Sequence, residues 1–247
     1  MNKFKCGVCS ISFRANSVRE VAQAVSEAGL DCVEWGSDVH APCNDPEKIA
    51  EIVALQEEYG ISCSSYGTYF RLGSNNLDEL CDYITTAKAL GTDVLRLWCG
   101  TKGSADYTSE EKQDFFEECK KAAAIAEAED VRLCMECHNG TLTDTADSAL
   151  ELMKAVDSPN FLMYWQPTLR VSVEYNMNYA RLISPYVVNL HVYHWVNSEK
   201  RPLEEGKADW LQYLTCFEPK GAMLLEFMPD DSIDSLKREA QTLLGLA

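Results

Sequence analysis

Residues 17–35, SVREVAQAVSEAGLDCVEW, contain one helix followed directly by one strand. Ser17 and Glu20 have the spacing of a capping box, in which the hydroxyl and the carboxylate each bond a backbone amide at the start of a helix. Gly29 is placed to end that helix. The following segment, Asp31–Trp35, is short and largely apolar, which predicts a buried strand. The stretch therefore predicts one helix-strand repeat.

The same alternation recurs along the rest of the chain. Predicted strands begin about every 30 residues, which is the length of one strand-helix unit. The predicted strands are Lys3–Cys9, Asp31–Trp35, Ile61–Tyr66, Asp93–Trp98, Val131–Glu136, Phe161–Trp165, Val187–Tyr193 and Ala222–Phe227. Strands alternating with helices form a parallel sheet through right-handed crossovers, and eight such units close into a barrel. We therefore predict a single α/β domain, a (β/α)8 TIM barrel, over residues 1–247.

An open, doubly wound sheet is the alternative fold for this alternation. Such sheets bind dinucleotides through a Gly-x-Gly-x-x-Gly turn after the first strand. Here the residues at that point are Gly7-Val8-Cys9-Ser10-Ile11, which lack the pattern. The nucleotide-binding alternative is therefore disfavoured.

Composition and charge narrow the classes of function. The 247 residues are 46% hydrophobic and carry a formal net charge of −17, which repels the phosphate backbone of nucleic acids. Apolar runs such as Ala122–Ala126 are far shorter than the roughly 20 residues that cross a bilayer, and Met1–Lys5 has no signal-peptide core. We expect a cytoplasmic protein that has neither nucleic acid nor membrane as a partner.

The cysteine count favours reduced thiols. Eleven cysteines are an odd number in a long chain without a secretory signal. Two C-x-x-C pairs, Cys6/Cys9 and Cys134/Cys137, are formally compatible with a structural zinc site. Each pair lies in a strand-like run, where residues three apart point to opposite faces, so buried thiols are the favoured interpretation.

Polar residues at predicted strand ends point to a metal site. The active sites of (β/α)8 barrels lie at the carboxyl ends of the strands. Glu136 and Glu226 each close an apolar run, and two buried carboxylates meeting there repel each other unless a cation lies between them. The imidazole of His191 and the amide oxygen of Gln166 complete a ligand set that suits a divalent ion. The alternative is that each glutamate pairs with a lysine or arginine.

In these motifs the chain resembles the xylose isomerase-like TIM barrel superfamily, often described as sugar phosphate isomerase/epimerase proteins. The resemblance covers essentially the whole chain and rests on the order and spacing of Ala28–Glu34, Ala87–Arg96, Glu136, His191 and Glu226. It implies that Glu136, His191 and Glu226 hold a metal.

The sequence departs from the family pattern at two positions. Gln166 stands where the family commonly has Asp, which lowers the formal charge of the ligand set from −3 to −2 and leaves the identity of the metal open. Leu169 stands where many members have His, which argues against a second metal built in that manner.

The resemblance implies a metal-dependent isomerase or epimerase of a sugar or polyol-like substrate, acting through a metal-stabilised enediolate. Glu136 and Glu226 would form the acid/base pair on opposite sides of the substrate. One divalent ion is expected, with Mn2+ as the first choice and Mg2+, Zn2+ and Co2+ as alternatives. A lyase or dehydratase acting on keto-sugars or keto-glycosides, and a noncatalytic sugar-binding barrel, stay open. A nuclease with a three-zinc cluster is disfavoured because the chain has only four histidines.

The remaining candidates are substrate contacts. The predicted substrate-binding residues are Glu34, His40, Tyr66, His138 and Lys207. Arg96 is either a further contact or an internal ion-pair partner, and tryptophans near the strand ends either stack on a sugar or pack in the core. The polar segment His194–Ala208 is either a lid or a solvated connector. We expect a small-molecule carbohydrate, unphosphorylated because Pro229–Asp231 is acidic, and leave homo-oligomerisation open.

Overall fold

A closed barrel of parallel strands forms the centre of the structure, a computed structural model that describes residues 3–247. The barrel strands are β1 (Lys5–Cys9), β2 (Cys32–Gly36), β3 (Ser62–Leu72), β4 (Val94–Cys99), β5 (Arg132–Glu136), β6 (Phe161–Trp165), β7 (Val187–Val192) and, after the hairpin strands β8 (His194–Val196) and β9 (Glu199–Arg201), β10 (Ala222–Leu225). Around the barrel, each strand from β1 to β6 pairs with the next, and β10 closes the ring between β7 and β1. The predicted TIM barrel is confirmed.

Eight α-helices connect the strands within the described residues. They are α1 (Val18–Glu27), α2 (Pro46–Tyr59), α3 (Leu80–Leu90), α4 (Ser109–Ala128), α5 (Ala146–Val156), α6 (Val173–Ile183), α7 (Lys207–Tyr213) and α8 (Leu236–Leu244). The capping box predicted at Ser17 and Glu20 is present, with both reciprocal hydrogen bonds formed. Gly60 ends α2 in the left-handed conformation, where the lack of a Cβ removes the steric penalty.

The lower half of the barrel is a filled core rather than a pore. A buried cluster of side chains occupies it: Cys9, Cys32, Val94, Cys134, Tyr164, Ala222 and Leu224. A side chain at Gly7 would collide with the carbonyl of Cys32, so this strand contact requires glycine. All eleven cysteines lie within the described residues and are free thiols. Because this cluster fills the inside of the barrel, the open face of the barrel is the one at the carboxyl ends of the strands.

Two elements differ from the sequence-based expectation. Strand β3 extends to Leu72 instead of ending at Tyr66, with a shift of register between Gly67 and Arg71. The segment after β7 forms the antiparallel hairpin β8–β9 rather than an irregular loop. Within residues 3–247, no helix is both long enough and apolar enough to cross a bilayer.

Candidate metal centre

Four polar side chains converge at the carboxyl ends of β5, β6, β7 and β10. One donor atom from each of Glu136, His191 and Glu226 lies within 4.8 Å of the other two. His191 Nδ1 is 2.9 Å from Oε1 of Gln166, 3.5 Å from Oε2 of Glu226 and 3.9 Å from Oε1 of Glu136. The structure thus brings together all four residues that the sequence predicted as ligands. Their binding of a metal stays a prediction.

A buried arginine holds one of these carboxylates from behind. Arg96, on β4, donates from Nη1 to Oε2 of Glu136 at 2.7 Å and from Nε to Oε1 of Glu34 at 3.1 Å. Trp98 Nε1 donates to the same Oε2 of Glu136 at 2.6 Å. Only Oε1 of Glu136 therefore faces His191. Of the two roles that the sequence left open for Arg96, the structure shows the internal ion pair.

Glu34 lies beneath the four donors and is fully buried. Ser65 Oγ donates to its Oε2 at 2.9 Å, while its Oε1 accepts from Arg96 and lies 3.5 Å from Nε2 of His191. The prediction that Glu34 contacts substrate is therefore wrong, because both oxygens are occupied inside the protein. A carboxylate behind a histidine is the usual arrangement that orients a metal-binding ring. Glu34 is placed to orient His191 through Nε2 while Nδ1 faces the other donors.

Burial and neighbouring charges both shift the pKa values of the three central groups. Burial raises the pKa of Glu226 to about 7, and the nearby charge of Glu136 adds to this. Burial also opposes the charged form of Glu136, but Arg96 and His191 hold the pKa of that carboxyl below its ordinary value. Burial would lower the pKa of His191, yet Glu226, Glu34 and Glu136 raise it to about 9. The surrounding carboxylates thus favour the protonated form of His191.

The donor set fits one divalent ion. Two carboxylates, one imidazole nitrogen and one amide oxygen are ligands that Mn2+, Mg2+, Zn2+ and Co2+ accept. A second buried group, formed by Cys9, Glu34 and His191, also has donor atoms within 4.8 Å of one another. It fits poorly, because burial keeps the pKa of the Cys9 thiol well above its ordinary value and Glu34 is already bonded to Arg96.

Aromatic and basic side chains form the rim of the site. Trp98 stacks on His138, with ring centroids 5.0 Å apart, and the guanidinium of Arg71 lies 4.2 Å from the Trp98 ring centroid. On the side of β10, Trp195 and Phe227 contact edge to face at 5.9 Å. Phe227 has a φ of 63°, a strained conformation directly after Glu226. The open face of the site is therefore lined by rings, which suits a sugar-sized ligand.

Two predicted substrate contacts are structural residues instead. His40 is buried, with one ring nitrogen 3.1 Å from Oγ of Ser10 and the other 3.0 Å from the carbonyl of Asn16. Tyr66 is also buried and donates to the carbonyl of Ala41 at 2.7 Å. Tyr66 lies in the middle of β3 rather than at its end, because the strand is longer than predicted. Both predictions are wrong.

The other two predicted contacts stay predictions. His138 is partly exposed on the rim, where it stacks on Trp98. Lys207 begins α7, and its Nζ lies 3.5 Å from Oε2 of Glu204 and close to Gly245 after α8.

Arg71, on the rim, was not among the site residues predicted from the sequence. It lay beyond the predicted end of β3 at Tyr66. The aromatic and β-branched residues of Tyr66–Leu72 continue the strand composition past Gly67, and this signal could have extended the prediction. The hydrogen bond between Trp98 and Glu136 was also missed, because single strand patterns do not show contacts between neighbouring strands.

Residues 22–236 match the family model described as Xylose isomerase-like TIM barrel. The chain belongs to this family. A 3-dehydroshikimate dehydratase of Bacillus anthracis is 27% identical over 184 residues, which are 66% of this chain and 63% of that relative. The aligned region thus covers slightly less than two thirds of the length of the relative.

Solved structures of other xylose isomerase-like barrels share the fold. A probable 3-DHS dehydratase from Bacillus anthracis has a TM-score of 0.81 at 20% identity, covering 98% of this chain and 99% of its own. A D-psicose 3-epimerase from Clostridium cellulolyticum H10 has a TM-score of 0.74 at 16% identity, covering 98% and 97%. A Mycobacterium smegmatis protein in complex with magnesium has a TM-score of 0.74 at 14% identity, covering 100% and 98%. By their names, these relatives include both a dehydratase and an epimerase.

Proposed function

We propose that this xylose isomerase-like barrel is a divalent-metal-dependent lyase or dehydratase. It would remove the proton next to a carbonyl group of a polyhydroxylated small molecule and expel a leaving group from the adjoining carbon. The observation that carries the proposal is the unequal environment of the two carboxylates at the site. Within residues 3–247, the carboxylate of Glu226 accepts no hydrogen bond, whereas Oε2 of Glu136 accepts two.

Glu136, Gln166, His191 and Glu226 would hold the cation. A divalent ion there supplies positive charge against the negative charge that develops on a carbonyl oxygen when a neighbouring proton leaves. Arg96 and Trp98 fix Glu136, and Glu34 faces the far side of the His191 ring. The protein thus orients two of the four donors before any ligand arrives, which reduces reorganisation during the reaction.

Glu226 is the residue suited to moving the proton. A general base works best when its pKa is near the working pH; burial raises the pKa of Glu226 to about 7, and a bound cation would lower it from there. The same carboxylate can then give its proton to the departing hydroxyl, so that the substrate loses one water and gains a carbon-carbon double bond. One carboxylate that takes up a proton and then releases it therefore suffices for elimination. The 27% identical dehydratase supports this outcome.

The isomerase or epimerase predicted from the sequence is the second candidate. Epimerisation needs a second proton carrier on the opposite face of the substrate, and Glu136 is poorly suited because Arg96 and Trp98 bond its Oε2 and its pKa is lowered. His138 is the observation in favour of this candidate. It is partly exposed on the same side as Glu136, where it could supply that second proton.

Turnover in D2O separates these candidates. We would incubate the Mn2+-loaded protein with 3-dehydroshikimate and a panel of free keto-sugars, and follow products by mass spectrometry. A product lighter by one water supports the lyase, and deuterium in an isomer of the unchanged formula supports the isomerase or epimerase. Glu226→Gln should abolish either reaction, while exposed Glu218→Gln should not. Sugar binding without either product would favour the noncatalytic barrel.

A further inference from the structure

Arg71 carries a charge that the protein does not neutralise. It lies near the end of β3 and is partly buried, yet in the described part of the chain it forms no ion pair with a carboxylate. Its Nη1 donates to the carbonyl of Gly100 at 2.8 Å, and its guanidinium packs on the ring of Trp98. A guanidinium has five N–H donors, so most of its hydrogen-bonding capacity is unused by the protein.

Trp98 connects this arginine to the metal site. The same indole contacts Arg71 through its ring and Glu136 through Nε1. A ligand at the four donors therefore lies one aromatic side chain away from the guanidinium. Lys200, which lies over Phe227 on the side of β10, differs because it is already paired with Asp231. Arg71 is thus a half-buried cation on the rim, and most of its guanidinium N–H donors form no hydrogen bond with the described residues.

We propose that Arg71 binds a carboxylate group of the substrate, which makes the substrate of the proposed reaction an acid. The proposal rests on the proposed function for the location of the substrate. A guanidinium presents paired N–H groups that match the two oxygens of a carboxylate. In a chain with a net charge of −17, an acidic substrate requires a local cation to offset the overall repulsion. Arg71 supplies this charge at the rim.

A phosphate group would use the same oxyanion chemistry. Phosphate sites in (β/α)8 barrels are commonly built from the loops after the seventh and eighth strands and a helix N-terminus. Here the turn after β10 contains Asp230 and Asp231, which repel a dianion. Arg71 projects from the β3 side instead, where the partner is a single guanidinium. These features favour a carboxylate over a phosphate.

The test is a binding comparison that does not need turnover. Shikimate and its methyl ester form one acid-neutral pair, D-glucuronate and D-glucose form a second, and D-glucose 6-phosphate is the phosphate probe. Affinities are measured by calorimetry on the full chain with Mn2+, for the wild type, Arg71→Met, Arg71→Lys and the control Arg181→Met, whose side chain is exposed on α6. Circular dichroism and Mn2+ affinity show whether each variant is intact.

We expect at least one acid to bind about tenfold or more tightly than its neutral partner. Arg71→Met should remove that preference, Arg71→Lys should keep part of it, and Arg181→Met should keep all of it. The proposal is overturned if no acid binds better than its partner, including the case of no binding, or if the preference survives in folded Arg71→Met. Tighter binding of glucose 6-phosphate than of both carboxylates would overturn the carboxylate assignment. Absence of turnover alone would overturn the proposed function but not this inference.

Discussion

His191 and Glu226 are the two proposed ligands whose protons a metal ion would have to displace. Their pKa values are about 9 and about 7, so Glu226 is protonated only below pH 7 and His191 up to pH 9. Because a cation competes with these protons, Mn2+ affinity should rise with pH by about tenfold per unit between pH 7 and 9, and more steeply below pH 7. Calorimetry at several pH values checks this. In Glu226→Gln the extra steepness below pH 7 should disappear, and an affinity independent of pH would contradict the assignment.

Gln166 is the proposed metal ligand at which the sequence departs from the family pattern. Gln166→Asp adds one negative charge to the donor set, and we expect Mn2+ to bind roughly tenfold more tightly because the added attraction acts at short range. Gln166→Asn is the matched control, since it has the same length as Asp without the charge. If Mn2+ affinity is equal in the two variants, residue 166 does not act through its charge.

At the residue scale, the sequence was most informative where the fold determines the position of a side chain. The four donors could be predicted because the carboxyl ends of parallel strands must meet on one face of a barrel, so Glu136 and Glu226 had to approach each other. Side-chain partners were harder to predict. Glu34 was assigned to substrate because nothing in its own strand shows that Arg96, two strands away, bonds it.

Strands β2, β4 and β5 are joined by a buried ion network as well as by their backbone pairing. Arg96→Met would remove the guanidinium that pairs with the buried carboxylates of Glu34 and Glu136, and we expect a loss of about 3–5 kcal/mol in the free energy of unfolding. Arg132→Met makes the same chemical change in the ion pair of Arg132 with Asp93, which is partly exposed, and should cost about 1 kcal/mol or less. Urea unfolding compares the two variants. Equal losses would show that burial of the network contributes nothing specific.

Elements were predictable where local signals and tertiary structure agree. Strand β6 was predicted with the observed bounds, Phe161–Trp165, and α1 begins after the capping box at Ser17. Strand β3 was predicted too short. Gly67 weakens the local strand pattern, but pairing with β4 extends the strand to Leu72. The hairpin β8–β9 was missed because its strands are only three residues each and largely polar.

The four candidate metal ligands all come from the second half of the sequence, but the barrel that holds them is closed by its first strand. Glu136, Gln166, His191 and Glu226 lie at the carboxyl ends of four strands, and β10, which directly precedes Glu226, pairs with β1 to close the barrel. A cation should therefore stabilise the closed barrel as one unit. If residues 1–247 form a single domain, as the sequence predicts, heating should give one cooperative transition both with and without metal.

Mn2+ binding should raise the midpoint temperature of that single unfolding transition. Mn2+ at about 100 times its dissociation constant adds about 2.7 kcal/mol to the free energy of unfolding. For a domain of this size, that corresponds to a rise of roughly 5–10 °C in the unfolding midpoint. Differential scanning calorimetry measures the rise, and Glu226→Gln at the same Mn2+ concentration should show little of it. Two separate transitions, of which only one responds to Mn2+, would mean that the site belongs to a part of the chain that folds on its own.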